Sequence, residues 1–203
     1  NSRLYHQNLA ATSINYPNAT SNTELLTQTY YDNYNWVSTS GSGLVKKLIT
    51  TYTSNTAYFL SAGTNAPYAQ SIKANYQTAG MITGSRVKVL GTASTYIWTV
   101  NFYDEKGRTI QSQNTNNTGG KDTTTSQYSF SGQLLRSLSG HGKGGNNPQQ
   151  CAIFTKIMYD EVGRVTSTVK KTGKSPEDTI NRMTYDEIGQ LVTKKLGQQR
   201  NSI

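Results

Sequence analysis

The chain has 203 residues, of which 33% belong to the hydrophobic set AVILMFWYC and only 15% are charged. With 14 Tyr and 18 Gly, this composition excludes a disordered tail, and no apolar run is long enough for a membrane helix. Cys151 is the single cysteine, so an internal disulfide and a cysteine-based zinc site are excluded as well. The net charge of +9 leaves a polyanionic partner open.

The first predicted region covers residues 1–95, where apolar positions are widely separated by Asn, Thr and Ser. It begins at Asn1 without a targeting segment, and we expect the chain to be a piece of a longer protein. The segment at residues 30–37 begins with Tyr-Tyr-Asp but lacks the following glycine, and it predicts a diverged turn. We assign residues 38–90 to an irregular module.

Three features are predicted inside this module. The Ser-Gly-Ser-Gly run at residues 40–43 indicates a loop. Residues 66–77 predict one short helix, because Pro67 suits an early helical position and Ala, Gln and Lys follow it. Residues 81–90 predict a hairpin that turns around Gly84 and Ser85.

The second region, residues 96–203, contains an internal repeat. A Tyr is followed by Asp and, four positions after the Tyr, by Gly; one weaker copy has Ser in place of Asp. Repeats separated by a few tens of residues are typical of solenoids, propellers and β-arrays. The motif residues are Tyr103, Asp104, Gly107, Arg108, Tyr128, Gly132, Tyr159, Asp160, Gly163, Arg164, Tyr185, Asp186 and Gly189.

The motif has the chemistry of a hairpin turn. Asp or Ser at the first turn position bonds the backbone ahead of it, and Gly at the fourth accepts a positive φ. The flanking segments are rich in β-branched and aromatic residues, as strands are. We therefore predict an all-β fold of antiparallel hairpins in a curved sheet, with polar loops at residues 113–125, 139–150 and 171–178.

The sequence Tyr-Asp-x-x-Gly-Arg at residues 103–108 and 159–164 resembles the YD repeat of the RHS (rearrangement hotspot) family, most of all the large RHS-repeat proteins of the Bacteroidetes. The resemblance implies a secreted or cell-surface protein, longer than this chain, whose repeats wind a sheet into a shell. In relatives that shell encloses a C-terminal toxin, as in polymorphic toxins. The chain departs from the pattern at Ser129, Gln133 and Gln190, and it lacks the Asp-Pro self-cleavage segment, so neither proteolysis nor toxicity is assigned to it.

The residue pattern does not favour a catalytic, cofactor-binding or metal-binding role. The acidic pairs that begin at Asp104, Asp160 and Asp186 recur with the turn, which favours turn chemistry over an active site; Arg108 and Arg164 are expected to pair with these carboxylates. The Gly-rich run at residues 140–145 lacks the strand–helix context of a phosphate loop and indicates a flexible loop.

The other reactive side chains are sparse. His141 and Cys151 are interpreted as a loop histidine and an inward strand cysteine rather than a base and a nucleophile. His6 and His141 are too few for an ordinary zinc site. We expect no enzyme, cofactor or metal.

Binding roles remain as alternatives. The four repeat tyrosines are predicted to pack against the neighbouring repeat rather than to present a ladder for sugars. Local basic density occurs only near Lys170 and Lys194, so solvated strand faces are favoured over nucleic-acid binding. Asn18 lies in a glycosylation sequon. The predicted function is a non-enzymatic scaffold or shell wall, with a carbohydrate- or polyanion-binding module as the alternative; unpaired edges predict edge-to-edge self-association.

Overall fold

The computed structural model describes residues 24–197, and in this range the protein is all-β, as the sequence predicts. The elements in chain order are β1 (Thr27–Asp32), α1 (Asn35–Thr39), β2 (Thr78–Lys88), β3 (Tyr96–Tyr103), β4 (Thr109–Thr115), β5 (Lys121–Tyr128), β6 (Leu134–Lys143), β7 (Gln149–Tyr159), β8 (Val165–Thr172), β9 (Asp178–Tyr185) and β10 (Leu191–Leu196). These ten strands form one open antiparallel sheet in the order β1 to β10, so each strand pairs with its neighbours in the chain. No helix among residues 24–197 is long and apolar enough to cross a membrane.

Alternation of side chains gives the sheet two different faces. In β3, Trp98, Val100 and Phe102 are buried on one face, whereas Thr99 and Asn101 between them point to the other. Residues that pair directly across strands lie on the same face. The face of Val100 therefore continues through a cross-strand row of Phe102, Gln111, Thr125, Leu138, Phe154 and Lys171.

A long irregular segment, residues 40–77, covers part of this face; we call the segment the strap and the face the strap face. Leu44 of the strap packs in a buried cluster with Val100 and Phe102, and Phe59 packs in a second cluster with Phe154. Burial of one such side chain stabilises the fold by about 1.5–3 kcal/mol. The strap thus supplies apolar side chains that pack against those of the strands and complete the core.

Buried glutamines on β4 and β5 hold the strap through its backbone. The Gln111 side chain accepts a hydrogen bond from the N–H of Ile49 (2.8 Å) and donates one to the carbonyl of Ile49 (2.9 Å). Gln127 accepts from the N–H of Leu60 (2.9 Å) and donates to its carbonyl (2.7 Å). The side-chain amides thereby satisfy backbone groups of an irregular segment that would otherwise be buried without partners.

The predicted polar loops are too long. The structure confines the connections to residues 116–120, 144–148 and 173–177, and the flanking residues belong to strands. The error has a physical cause: Thr, Ser and Gln in these segments lie on sheet faces and make cross-strand bonds, such as the 3.0 Å contact between the hydroxyls of Thr124 and Ser139. Polarity alone does not distinguish such strands from loops.

The predicted hairpin around Gly84 and Ser85 is wrong, because both residues lie within β2. A Cβ atom on Gly84 would lie 2.2 Å from the carbonyl oxygen of Thr99 and 2.3 Å from the Trp36 ring. Glycine is therefore required here for close approach of a neighbouring strand and an indole, and it does not mark a turn.

The predicted helix at residues 66–77 is also wrong. This part of the strap runs in extended form past the ends of β3 and β5, where Ala69 and Asn75 form isolated bridges with Ser129 and Tyr103. The backbone groups that a helix would use internally are bonded to the sheet instead, as in the 2.8 Å bond from the N–H of Asn75 to the carbonyl of Tyr103. The segment at residues 30–37, predicted as a diverged turn, instead contains the end of β1 and the start of α1, the helix that does form.

Candidate functional site: the repeated turns

The four motif sites are tight turns between consecutive strands. In the copy at residues 159–164, the N–H of Gly163 donates to the carbonyl of Asp160 (3.0 Å), and the N–H of Asp160 donates to the carbonyl of Arg164 (2.9 Å). Gly163 has a φ of 88°, a conformation in which glycine escapes the steric cost of a Cβ atom. The same pair of bonds closes the turns that begin at Asp104, Ser129 and Asp186.

The first side chain of each turn reaches over it to the fifth residue. Asp160 Oδ1 accepts a hydrogen bond from the N–H of Arg164 at 2.8 Å, and in the weaker copy the hydroxyl of Ser129 accepts from the N–H of Gln133 at 3.0 Å. A short polar side chain that bonds backbone ahead of it is the usual device for fixing a turn. Serine can therefore replace aspartate here without changing the turn.

In two copies the turn aspartate also binds an arginine. Nε of Arg108 lies 2.6 Å from Oδ2 of Asp104, and Nε of Arg164 lies 2.6 Å from Oδ2 of Asp160. Desolvation raises the pKa of Asp160, but the backbone N–H and guanidinium of Arg164 outweigh it and leave the pKa below its ordinary value. These are the ion pairs that the sequence predicts.

Each arginine then contacts the tyrosine of the following repeat. The guanidinium of Arg108 lies 5.0 Å from the ring centroid of Tyr128, and that of Arg164 lies 4.4 Å from the centroid of Tyr185. Both distances are within the range of a cation–π interaction. The aspartate orients the arginine, and the arginine connects one hairpin to the next.

The repeat tyrosines complete the connection with their hydroxyls. Tyr185 donates to the carbonyl of Val165 (2.9 Å), the residue directly after Arg164. Tyr128 and Tyr159 make the equivalent 3.0 Å bonds to the residues that begin β4 and β6, and Tyr103 donates to a carbonyl of β2 at 2.6 Å. Desolvation raises the pKa of both Tyr103 and Tyr159. This is the packing role that the sequence favours for the tyrosines.

The two copies that lack arginine have glutamine at this position and make different contacts. Gln133 occupies the arginine position, and its Nε2 donates to the carbonyl of Gly163 in the next turn (3.3 Å). Gln190 occupies the same position in the last turn, where its N–H donates to Oδ1 of Asp186. Gln133 thus keeps a contact with the next repeat, whereas the contact of Gln190 lies within its own turn.

A polar pocket of about 330 Å³ lies between the strap and the first turn. Asp104 and Arg108 form its wall on the turn side, and Lys73 and Asn75 contribute from the strap. The Asp104 carboxylate bonds Arg108, and Nη1 of Arg108 donates to the carbonyl of Ser129 at 2.7 Å. Asp104 and Arg108 are thus engaged within the protein, whereas Glu105, which also lines this wall, is exposed.

The structure corrects the interpretation of His141 and Cys151. Both lie in strands, directly opposite each other on β6 and β7, and Cys151 is exposed rather than inward. Nδ1 of His141 lies 2.7 Å from Oδ1 of Asp122 on β5, an orienting group that the sequence did not suggest. The run at residues 140–145 is likewise mostly strand, with its turn at Gly145. His6 and the sequon at Asn18 lie outside the described residues.

Comparison with known proteins adds no family. No protein-family model matches the chain, and no curated protein matches it. Among residues 24–197, no group of three or more His, Cys, Asp or Glu side chains could hold a metal ion.

Proposed function

We propose that this chain is a structural segment of a larger RHS-like, YD-repeat protein at the cell surface or in the extracellular space, where it forms part of a β-scaffold or shell wall. The observation that supports this role is the series of contacts from each repeat to the next. Asp160 binds Arg164, Arg164 stacks on Tyr185, and Tyr185 bonds the carbonyl of Val165. The motif side chains are used to connect hairpins, which is what an extendable wall requires.

The sugar-ladder alternative gains no support from the tyrosines themselves. Their hydroxyls donate hydrogen bonds to backbone carbonyls, and the guanidinium of an arginine lies over two of the rings. A ring used in this way has less area free for stacking on a ligand. A scaffold is therefore the better use of the four motif sites.

A double-mutant cycle tests the scaffold proposal. Arg164→Gln and Tyr185→Leu are combined, and we expect a coupling of about 0.5–1 kcal/mol in the free energy of unfolding. The control cycle combines Arg164→Gln with Tyr159→Leu, the tyrosine of the same repeat, and should give a coupling near zero. Denaturant unfolding measures all variants.

A glycan screen at physiological salt provides the opposing result. Saturable binding that is lost in Tyr185→Leu, together with no coupling in the first cycle, would overturn the scaffold proposal in favour of a carbohydrate-binding module.

A further inference from the structure

The strap covers only part of its face. Its buried clusters and its hydrogen bonds to the sheet lie on β3 to β7 in the described chain. Farther along, Arg182 of β9 is exposed, and all six residues of β10 are exposed. The strap face of the last strands is therefore open to solvent.

The strap face beside and beyond the strap, from β6 to β10, is basic. Arg136 on β6 lies directly opposite Lys156 on β7, and Arg182 on β9 lies directly opposite Lys195 on β10. The first pair lies two residues from the row of Leu138 and Phe154, so it shares their face. The second pair shares this face too. Arg182 lies directly opposite Ser167 on β8, and Ser167 lies directly opposite Met158 on β7. Lys171 lies directly opposite Phe154 and adds a fifth cation. We call these five residues the basic surface: Arg136, Lys156, Lys171, Arg182 and Lys195.

Like charges directly opposite each other on neighbouring strands are unfavourable. Glu177 relieves the first pair in part, because its carboxylate lies 3.9 Å from Nζ of Lys156. Desolvation lowers the pKa of Arg136, and the charge of Glu177 opposes that shift. Among residues 24–197, Arg182 and Lys195 form no ion pair within 4.0 Å. The surface therefore carries a positive charge that one carboxylate does not neutralise.

The covered half of the face indicates what kind of molecule fits the open half. There the sheet binds an extended polypeptide through side chains, and Gln127 is one of those that bond its backbone. Arg136 on β6 lies directly opposite Gln127, and Lys156 on β7 lies directly opposite Arg136. The positions that hold a polypeptide on β5 are thus occupied by cations on β6 and β7, and carboxylates are the protein groups that cations bind best.

The geometry favours a polypeptide over a nucleic acid. Single-stranded nucleic acids are held by a basic groove together with aromatic rings on which bases stack. The aromatic side chain that lies among these cations, Phe154, is only 3% exposed and packs under the strap. From β6 to β10 the cations span four strand spacings, roughly 19 Å, which is the length of about six residues of extended chain.

We propose that the basic surface binds an extended acidic polypeptide, which lies on the strap face beyond the strap. Its carboxylates neutralise the paired cations, and its aliphatic groups contact Met158, which is 42% exposed. This site is separate from the repeated turns and does not depend on their role as a scaffold.

The test uses the full chain, a fluorescent glutamate-rich peptide, the same peptide with glutamine in place of glutamate, and a short oligo-dT strand. We expect the glutamate peptide alone to bind saturably near neutral pH, with affinity that falls as salt is added. The double variant Arg182→Gln/Lys195→Gln should weaken binding about tenfold, as expected for two partly exposed charge pairs.

The chain offers a matched control on the opposite face of the same part of the sheet. Lys170 and Lys194 each precede a basic-surface residue in the chain, so their side chains point to the other face. Lys170→Gln/Lys194→Gln removes the same charge and should leave the affinity within about twofold. Lys171→Gln against Lys170→Gln repeats the comparison with single substitutions, in case a double variant does not fold.

Three results would overturn the proposal: no binding of the glutamate peptide by the wild-type chain, equal losses in the two double variants, or tighter binding of oligo-dT with the same dependence on Arg182 and Lys195. None of these results bears on the coupling between Arg164 and Tyr185, so the two proposals fail separately.

Discussion

The fourth residue of each turn adopts a left-handed conformation, and adding a single Cβ atom there tests whether glycine is required. Gly163 has a φ of 88°, and a Cβ there would lie 2.9 Å from Nε2 of Gln133, the mobile end of a side chain. The cost of a substitution therefore comes mainly from the backbone. We expect Gly163→Ala to lower the free energy of unfolding by about 1–2 kcal/mol, measured by denaturant unfolding.

Gly140 provides the control for this substitution. It lies within β6 without a positive φ, and a Cβ there would meet nothing closer than 3.8 Å. Gly140→Ala should leave the unfolding curve nearly unchanged. Equal losses at the two glycines would contradict the turn geometry.

The Asp160 carboxylate is expected to make stability depend on pH. Burial raises its pKa, but hydrogen bonds from the N–H groups of Arg164 and Val162 and the charge of Arg164 hold the net pKa below its ordinary value. A carboxyl whose pKa is depressed by folding contributes stability above its unfolded pKa of about 3.9, and this contribution is lost as pH falls through the folded pKa. Asp160→Asn should therefore lower the melting temperature at neutral pH, and the difference from wild type should close in acid.

Glu161→Gln removes the same charge from the neighbouring position, which is exposed. Its melting temperature should follow that of the wild type at every pH. A difference between Asp160→Asn and wild type that stays constant from neutral pH into acid would show that the charge is not the stabilising feature.

At the scale of elements, the buried glutamines should decide whether the strap stays on the sheet. Gln127→Leu keeps the size of the side chain but leaves the N–H and carbonyl of Leu60 without their partner. We expect a loss of about 2 kcal/mol in the free energy of unfolding. Tryptic cleavage at Lys46, Lys47 or Lys73 in the strap should also become faster, which mass spectrometry of the fragments would show.

Gln149→Leu makes the same change at an exposed position at the start of β7. It should affect neither unfolding nor tryptic cleavage. A strap that is cut at the wild-type rate in Gln127→Leu would mean that apolar packing alone holds it.

The turns and the strap differ in how far the sequence predicts them. The turns are local: Asp160, Gly163 and Arg164 lie within five consecutive positions, and their chemistry specifies the bend. The strap depends on bonds between residues more than sixty positions apart, such as that between Ile49 and Gln111. No local pattern marks a glutamine as buried, so the sequence predicts the strap only as an irregular module.

The candidate site shows the same division. The pairing of Arg108 and Arg164 with turn carboxylates and the packing of the tyrosines follow from the repeat itself. The stacking of Arg164 on Tyr185 depends on the register between neighbouring hairpins, and the sequence does not predict that register. The sequence does not predict the contact of Asp122 with His141 for the same reason, because it depends on strands β5 and β6 being longer than their polarity predicts.

At the scale of the whole molecule, the contacts between repeats run in one direction along the sheet. Each tyrosine after the first bonds the residue that begins the preceding strand, as Tyr159 does with Leu134 and Tyr185 with Val165. The equivalent carbonyl in β10 belongs to Leu191, beside the exposed Val192. The arrangement can be extended by one hairpin at a time, as in a solenoid.

An open sheet of this kind has an edge that can pair with another chain. In the described range, β10 is paired with β9 on one side, and Val192 and Leu196 are 62% and 70% exposed. An unpaired edge strand with exposed apolar side chains is a template for association, and β10 presents such side chains on both sides of Lys194 and Lys195. We expect the sedimentation coefficient of the chain to rise with concentration.

Val192→Lys should suppress this association, because a lysine on an edge strand opposes pairing with a second copy. The control is Val162→Lys, a change of equal charge at a turn residue that is 73% exposed and outside any strand. It should leave the concentration dependence as in the wild type. If the wild-type chain sediments as a monomer at every concentration, or if the two lysine variants lower association equally, pairing through the β10 edge is wrong.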